Sequence, residues 1–206
     1  MYFQAVHYEN FMYIPKHFEV TDTQEIYAFI EHNAFGQLIS NCNGQLSSIH
    51  IPFLLSDDKT KLIAHLAKSN PQSSTLHGQQ VLITLQGPHD YISPSWLSGP
   101  AVPTWNYQAV HVNGTCRIFE NVNDIKQVVD QLTAKYESGF ETPWLPEYMA
   151  SMLHAIVGVE ISISDLQCKY KLSQNRPVED QRSIVRQLQI SGSNDLATAM
   201  TCIGSK

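Results

Sequence analysis

Asn43-Gly44 lies between two runs of alternating apolar residues, Phe35 to Cys42 and Gln45 to Leu55. Both turn residues tolerate positive φ, so this dipeptide is a strong short-range signal for a β-hairpin. More extended runs follow at hairpin spacing. Lys61 to Ala67 alternates and ends at Lys68-Ser69-Asn70-Pro71, where Pro71 opens a short helix to His77. Val81 to Gln86 is β-branched and apolar, is broken by Gly87-Pro88, and is followed by an extended piece at Tyr91-Ile92. Ser95 to Pro103 is a loop, and Thr104 to Glu120 predicts a long strand with a bend near Asn113-Gly114. Ala155 to Ile163 and Lys169 to Ser173 predict two further strands.

Helices are inserted between these strands without regular alternation. Asp22 and Glu25 form a capping box for a helix over 23–32, with Ile26, Phe29 and Ile30 on one face. Asn123 caps a second, whose Ile125, Val128, Val129, Leu132 and Tyr136 share a face and which ends near Gly139. Glu147 to Leu153 predicts a short helix, and Pro177 opens a last one containing Ile184, Val185 and Leu188. The expected class is mainly β (α+β): an antiparallel barrel with peripheral helices. A doubly wound parallel sheet is disfavoured, and neither G-x-G-x-x-G nor G-x-x-x-x-G-K-[ST] is present. Residues 1–11 lack periodicity and stand apart as an N-terminal extension, native or left from cloning. Residues 12–190 form a single domain, and 191–206, small and polar, form a frayed, disordered tail.

A chain of 206 residues buries enough surface to hold a core without metal or disulfides. Thirteen basic against 19 acidic residues leave a net charge of −6, which repels phosphate backbones and makes direct DNA binding doubtful. Cys42, Cys116, Cys168 and Cys202 stand singly, without the close pairs of a zinc or redox motif, which fits free thiols in a cytoplasmic protein. No apolar run reaches the length of a membrane span, and no secretory leader pattern is present.

Three segments concentrate polar and aromatic residues beyond what a core needs. In Ser47-Ser48-Ile49-His50-Ile51-Pro52, His50 shares a strand face with Ser48. In the next strand His65 shares one with Ile63 and Ala67. Each histidine is either a hydrogen-bonded structural residue or part of a ligand surface. Lys68, Ser69 and Asn70 at a strand end supply a cation, a hydroxyl and an amide, the parts of a phosphate cradle or of a solvated turn. Trp96, Trp105 and Tyr107 suit a core, a dimer interface or a platform for a planar ring. From Gln167 to Gln187 five cations face two acids, 5 − 2 = +3 in an acidic chain. That segment is a solvated helix face, a phosphate clamp or a nucleic-acid contact.

Met12-Tyr13-Ile14-Pro15-Lys16-His17-Phe18, Gln86 through Trp96, Val102 through Val112, and Lys171-Leu172-Ser173-Gln174-Asn175-Arg176 closely resemble the PaiB family of FMN-binding negative transcriptional regulators of protease synthesis and sporulation. The resemblance runs from about Met12 to Leu188. It implies an FMN-binding split β-barrel, similar to pyridoxamine-phosphate-oxidase and flavin-reductase barrels, assembled as a homodimer with flavin at the subunit interface. It places Ser47, Ser48, Ile49 and His50 along the isoalloxazine, and His65, Lys68, Ser69 and Asn70 at the phosphate. Trp105 and Tyr107, aromatic residues at a loop-to-strand junction that a monomer core need not contain, are expected at the dimer interface and among the cofactor-binding residues. Lys171, Gln174 and Arg176 fall at the cofactor or at a substrate against its ring. The family commonly carries an arginine near Lys68, and lysine offers a point charge where arginine offers a fork. The implied function is a flavin-dependent sensor or regulator, with a regulatory partner protein. The alternatives from the same superfamily are a flavin-dependent oxidoreductase and a haem-binding or haem-degrading enzyme, with His50, His89 and His111 as available histidines.

Overall fold

A computed structural model describes residues 12–203 of the chain, so the extension over 1–11 lies outside the described residues. Helix α1 (Thr23–His32) occupies the expected span and buries Ile26, Phe29 and Ile30. Strands β1 (Phe35–Cys42) and β2 (Gln45–Pro52) pair antiparallel from Cys42↔Gln45 to Phe35↔Pro52. Asn43 and Gly44 turn between them at φ 54° and 87°, and the Asn41 side chain accepts the Gly44 N–H at 2.7 Å. That is the primed turn whose twist matches the strands it joins.

The return strand expected to reach Leu55 is cut in two. Phe53 is fully buried and donates its N–H to the Ala34 carbonyl, which ends β2 at Pro52. The chain then starts β3 (Leu54–Leu55), paired with β4 (Lys61–Ala67). Strands β5 (Gln80–Ile92), β6 (Thr104–Phe119) and β7 (Ile156–Lys171) complete a seven-stranded antiparallel sheet in the order β2-β1-β5-β6-β7-β4-β3. The fold is mainly β and of the split-barrel class.

These three long strands correct the sequence expectation at each supposed break. β5 continues through Gly87-Pro88, because its pairing with β1 covers only Leu82 to Thr84. Pro88 lies beyond that ladder, so its missing N–H costs no bond to β1. β6 runs on past Asn113-Gly114, where glycine serves close approach: a Cβ on Gly114 would lie 2.4 Å from the Ser162 carbonyl oxygen. β7 spans both of the separate strands expected there.

Helix α2 (Val122–Glu137) starts earlier than expected. Asn121 caps it, because its side-chain oxygen accepts from both Asn123 N and Asp124 N. The short α3 (Ala150–His154) is displaced toward the C-terminus from the expected span. Pro177 precedes α4 (Val178–Ser191), which Gly192 ends in the left-handed conformation with Ser193 N donating to Leu188 O. Residues 194–203, expected as a frayed tail, form helix α5 (Asn194–Ile203), which packs against α4 and buries Leu196, Ala197 and Met200.

The described residues form two compact units. The hairpin unit comprises residues 23–85 and 110–166, and the terminal unit comprises 12–22, 86–109 and 167–203. In the hairpin unit Leu38, Phe53, Leu62, Ile83 and Ile161 are completely or almost completely buried. In the terminal unit Ile92, Leu172, Ile184 and Leu188 play that part.

Candidate functional site

Eight of the thirteen expected site residues lie in the hairpin unit and five in the terminal unit. In the hairpin unit β2 is an edge of the sheet, so one side of its backbone lacks a strand partner. Its side chains alternate. Ser47 and Ile49 share the face of the buried Ile51, whereas Ser48 and His50 project from the other face and are exposed. A planar ligand along this strand would meet the backbone of all four residues and the side chains of only two. His50 stacks on Phe35 with ring centroids 6.1 Å apart, and the Ser48 hydroxyl donates to Gln37 Oε1 at 3.3 Å.

On β4, Leu62, Ala64 and Leu66 point into the core and His65 takes the opposite face with Ile63 and Ala67. His65 Nδ1 is buried with no hydrogen-bond partner, and burial holds its pKa below the ordinary value of 6.5, which favours the neutral ring. Burial shifts His111 in the same direction.

Past the end of β4 the backbone is tied down: Lys68 N donates to Ala155 O, Asn70 N to Ala67 O, and the Asn70 side chain accepts from Gln72 N. The Lys68 ammonium pairs with Glu120 at 2.7 Å, and both groups are exposed. Such a pair contributes about 0–1 kcal/mol and can exchange for another anion. Ser69 is exposed beside it. Gln72, which sequence reasoning did not single out, connects these pieces. Its buried amide donates to Ser40 Oγ at 2.8 Å and Ser47 O at 3.4 Å, fixing the turn after β4 to the β1-β2 hairpin. A lone glutamine after Asn-Pro carries no sequence signal for that role.

In the terminal unit Trp105 is about half exposed, flanked by the rings of His89 and Tyr91 at 6.4 and 6.3 Å. Tyr107 faces the Lys169 ammonium, which lies 5.5 Å from its ring centroid and 5.6 Å from that of Tyr13. Gln174 closes the turn between β7 and α4: its side chain accepts from Leu172 N and donates to Tyr170 O. Both ends of that amide serve the backbone, which gives Gln174 a structural role.

Lys171 and Arg176 are brought together at a cavity of about 190 Å³ that Thr104, Asn106 and Ser173 also line. The Lys171 ammonium donates to Thr104 Oγ1 and, at 2.5 Å, to the Trp105 carbonyl. Burial, Lys169 and Arg176 together lower its pKa. Asn106 is 1% exposed and exchanges hydrogen bonds with Ser173 Oγ at 2.9 and 3.2 Å. Its place was legible: it alternates with Trp105 and Tyr107 and therefore takes the inward face.

The chain matches the model of the family described as "Putative FMN-binding domain" over residues 12–165. It is 40% identical to the protease synthase and sporulation protein PAI 2 of Bacillus subtilis over 186 residues, which cover 86% of this chain and 89% of that protein. Among solved structures it is similar to the flavocytochrome Anf3 from Azotobacter vinelandii, with a TM-score of 0.66, 13% identity, and coverage of 84% of this chain and 80% of the other. It is also similar to the FAD and heme binding protein from Mycobacterium smegmatis, with a TM-score of 0.62, 13% identity, and coverage of 80% and 78%. At that identity the two structures support the fold alone.

Proposed function

We propose, from the premise that this chain belongs to the FMN-binding domain family, that it is a flavin-dependent sensor whose FMN-bound state is read by a regulatory partner protein. The observation that carries this reading is the turn after β4, where an exchangeable cation, a hydroxyl and an amide are fixed to an edge strand through Gln72. That donor set fits FMN. Lys68, Ser69 and Asn70 would hold the phosphate, and the open backbone edge of β2 at Ser47, Ser48, Ile49 and His50 would meet the heteroatoms of the ring. Burial favours the neutral ring of His65, which lowers the charge it would add to the site. Bound FMN supplies one- and two-electron redox chemistry.

The half-exposed Trp105 and its neighbours Tyr91 and Tyr107 support a homodimer that covers them. No helix among the described residues is long and apolar enough to cross a membrane. The net charge of −6 supports regulation through a protein partner over direct operator binding.

Two measurements test the proposal. The absorption spectrum of protein purified without added cofactor separates flavin from haem, and a flavin spectrum is expected. Steady-state oxidation of reduced nicotinamide by the FMN-loaded protein is expected to stay at the rate of free FMN. Multiple turnovers above that rate would replace the sensor by an oxidoreductase.

A further inference from the structure

The cavity at the end of β7 lies in the terminal unit, and four of its lining residues, Lys171, Ser173, Asn175 and Arg176, follow the segment that the family model matches. We propose that this cavity is a binding site for a phosphate dianion, with Arg176 as the bidentate donor and Lys171 beside it.

Charge is the first argument. Among the described residues no carboxylate pairs with Lys169, Lys171 or Arg176. Among the described residues the Lys169 ammonium meets the Tyr13 carbonyl and two aromatic faces. The nearby Asp180 accepts from Ser98 N and Ser98 Oγ at one carboxylate oxygen, both at 2.9 Å, and feels the Arg176 charge without forming an ion pair with it. Burial first, and then the charges of Lys169 and Arg176, lower the pKa of Lys171, and a dianion offsets three neighbouring cations more than a monoanion does.

Geometry is the second. Arginine presents its donors in a planar fork that matches two phosphate oxygens, and Lys171, with two protons given to Thr104 and Trp105, keeps a third. Ser173 is a buried non-glycine residue at φ 65°, held there by its bonds to Asn106. Left-handed backbone at such a residue is uncommon and recurs at ligand clamps. A volume of about 190 Å³ is below the range of pockets that enclose drug-sized ligands, so the cavity suits a phosphate group and not a flavin ring.

The phosphate could belong to a separate small phosphate ester or to the tail of FMN, and titration separates the two. Inorganic phosphate is titrated into the full-length chain at constant ionic strength, flavin-free, saturated with riboflavin and saturated with FMN. Wild type is expected to bind it when flavin-free or riboflavin-saturated. Arg176→Ala should weaken it about ten- to a hundredfold and Arg176→Lys by less, with the melting temperature in phosphate-free buffer unchanged. Phosphate binding that survives FMN saturation identifies a separate ligand. Phosphate binding lost on FMN saturation, with Arg176→Ala weakening FMN but not riboflavin, identifies the cofactor's own tail. Equal phosphate affinity in wild type and Arg176→Ala, or no binding by the flavin-free wild type, overturns the site. Because the flavin-free titration needs no cofactor, failure of the FMN proposal leaves this result readable.

Discussion

Lys68 and Lys171 stand at the ends of two strands, each shortly before a serine, an asparagine and a proline that precedes a helical turn, yet their surroundings are opposite. Lys68 is exposed and offset by Glu120 at 2.7 Å. Lys171 is half-buried, donates to neutral oxygens, and has Lys169 and Arg176 as its charged neighbours. Similar residues therefore give one site poised to exchange a weak carboxylate partner and another whose cations form no ion pair among the described residues. Local composition names the donors, and the packing around them sets their electrostatic demand.

The largest expected effect falls on the floor of the terminal unit. Leu196→Ala removes an almost fully buried side chain of α5 and should cost about 2–5 kcal/mol in denaturant unfolding. A loss below about 0.5 kcal/mol would show that α5 does not pack against α4 as the fold requires. In the hairpin unit, Gln72→Ala leaves buried Ser40 without its donor and should cost about 1–3 kcal/mol. It should also weaken FMN, because the turn carrying Lys68 is no longer fixed to β2. Unchanged FMN affinity at lowered stability would separate the turn from the cofactor.

Lys68→Ala should weaken FMN about tenfold and riboflavin hardly at all, as read by flavin fluorescence titration. Equal losses for both ligands would move the phosphate away from Lys68. Its counterpart, Glu120→Gln, should tighten FMN by a few-fold with no change in melting temperature, since the exposed pair contributes about 0–1 kcal/mol.

The smallest effect is a pH dependence. The folded-state pKa of His65 is depressed, so its contribution is fully present above the unfolded value of about 6.5 and is lost as pH falls from there through the lowered folded value. Wild type should lose stability on acidification through that window more steeply than His65→Gln. Parallel curves would mean that the buried ring carries no titration penalty.

Much of this was legible beforehand. The turn at Asn43-Gly44, strand β1, helix α1 and strand β4 follow from periodicity and turn chemistry, and the structure keeps their spans. The misplaced features share a cause. Gly87-Pro88 and Asn113-Gly114 look like breaks because glycine and proline usually punctuate, but one lies past a ladder and the other at a close backbone approach. The polar segment after Ser191 hid Leu196, Ala197 and Met200, whose burial depends on α4.

By itself the sequence determined the antiparallel class, the hairpin register and the identity of the polar donors, because these depend on alternation, on turn residues and on side-chain chemistry within a few positions. Only the tertiary structure decided which donors act together. It paired Lys68 with Glu120 across 51 intervening positions, tied Asn106 to Ser173, assigned Gln174 to the backbone, and, among the described residues, left Lys171 and Arg176 without an ion pair around one cavity. Electrostatic and hydrogen-bond partners are set by distances in space, and strands far apart in the chain create those distances only when the sheet has formed.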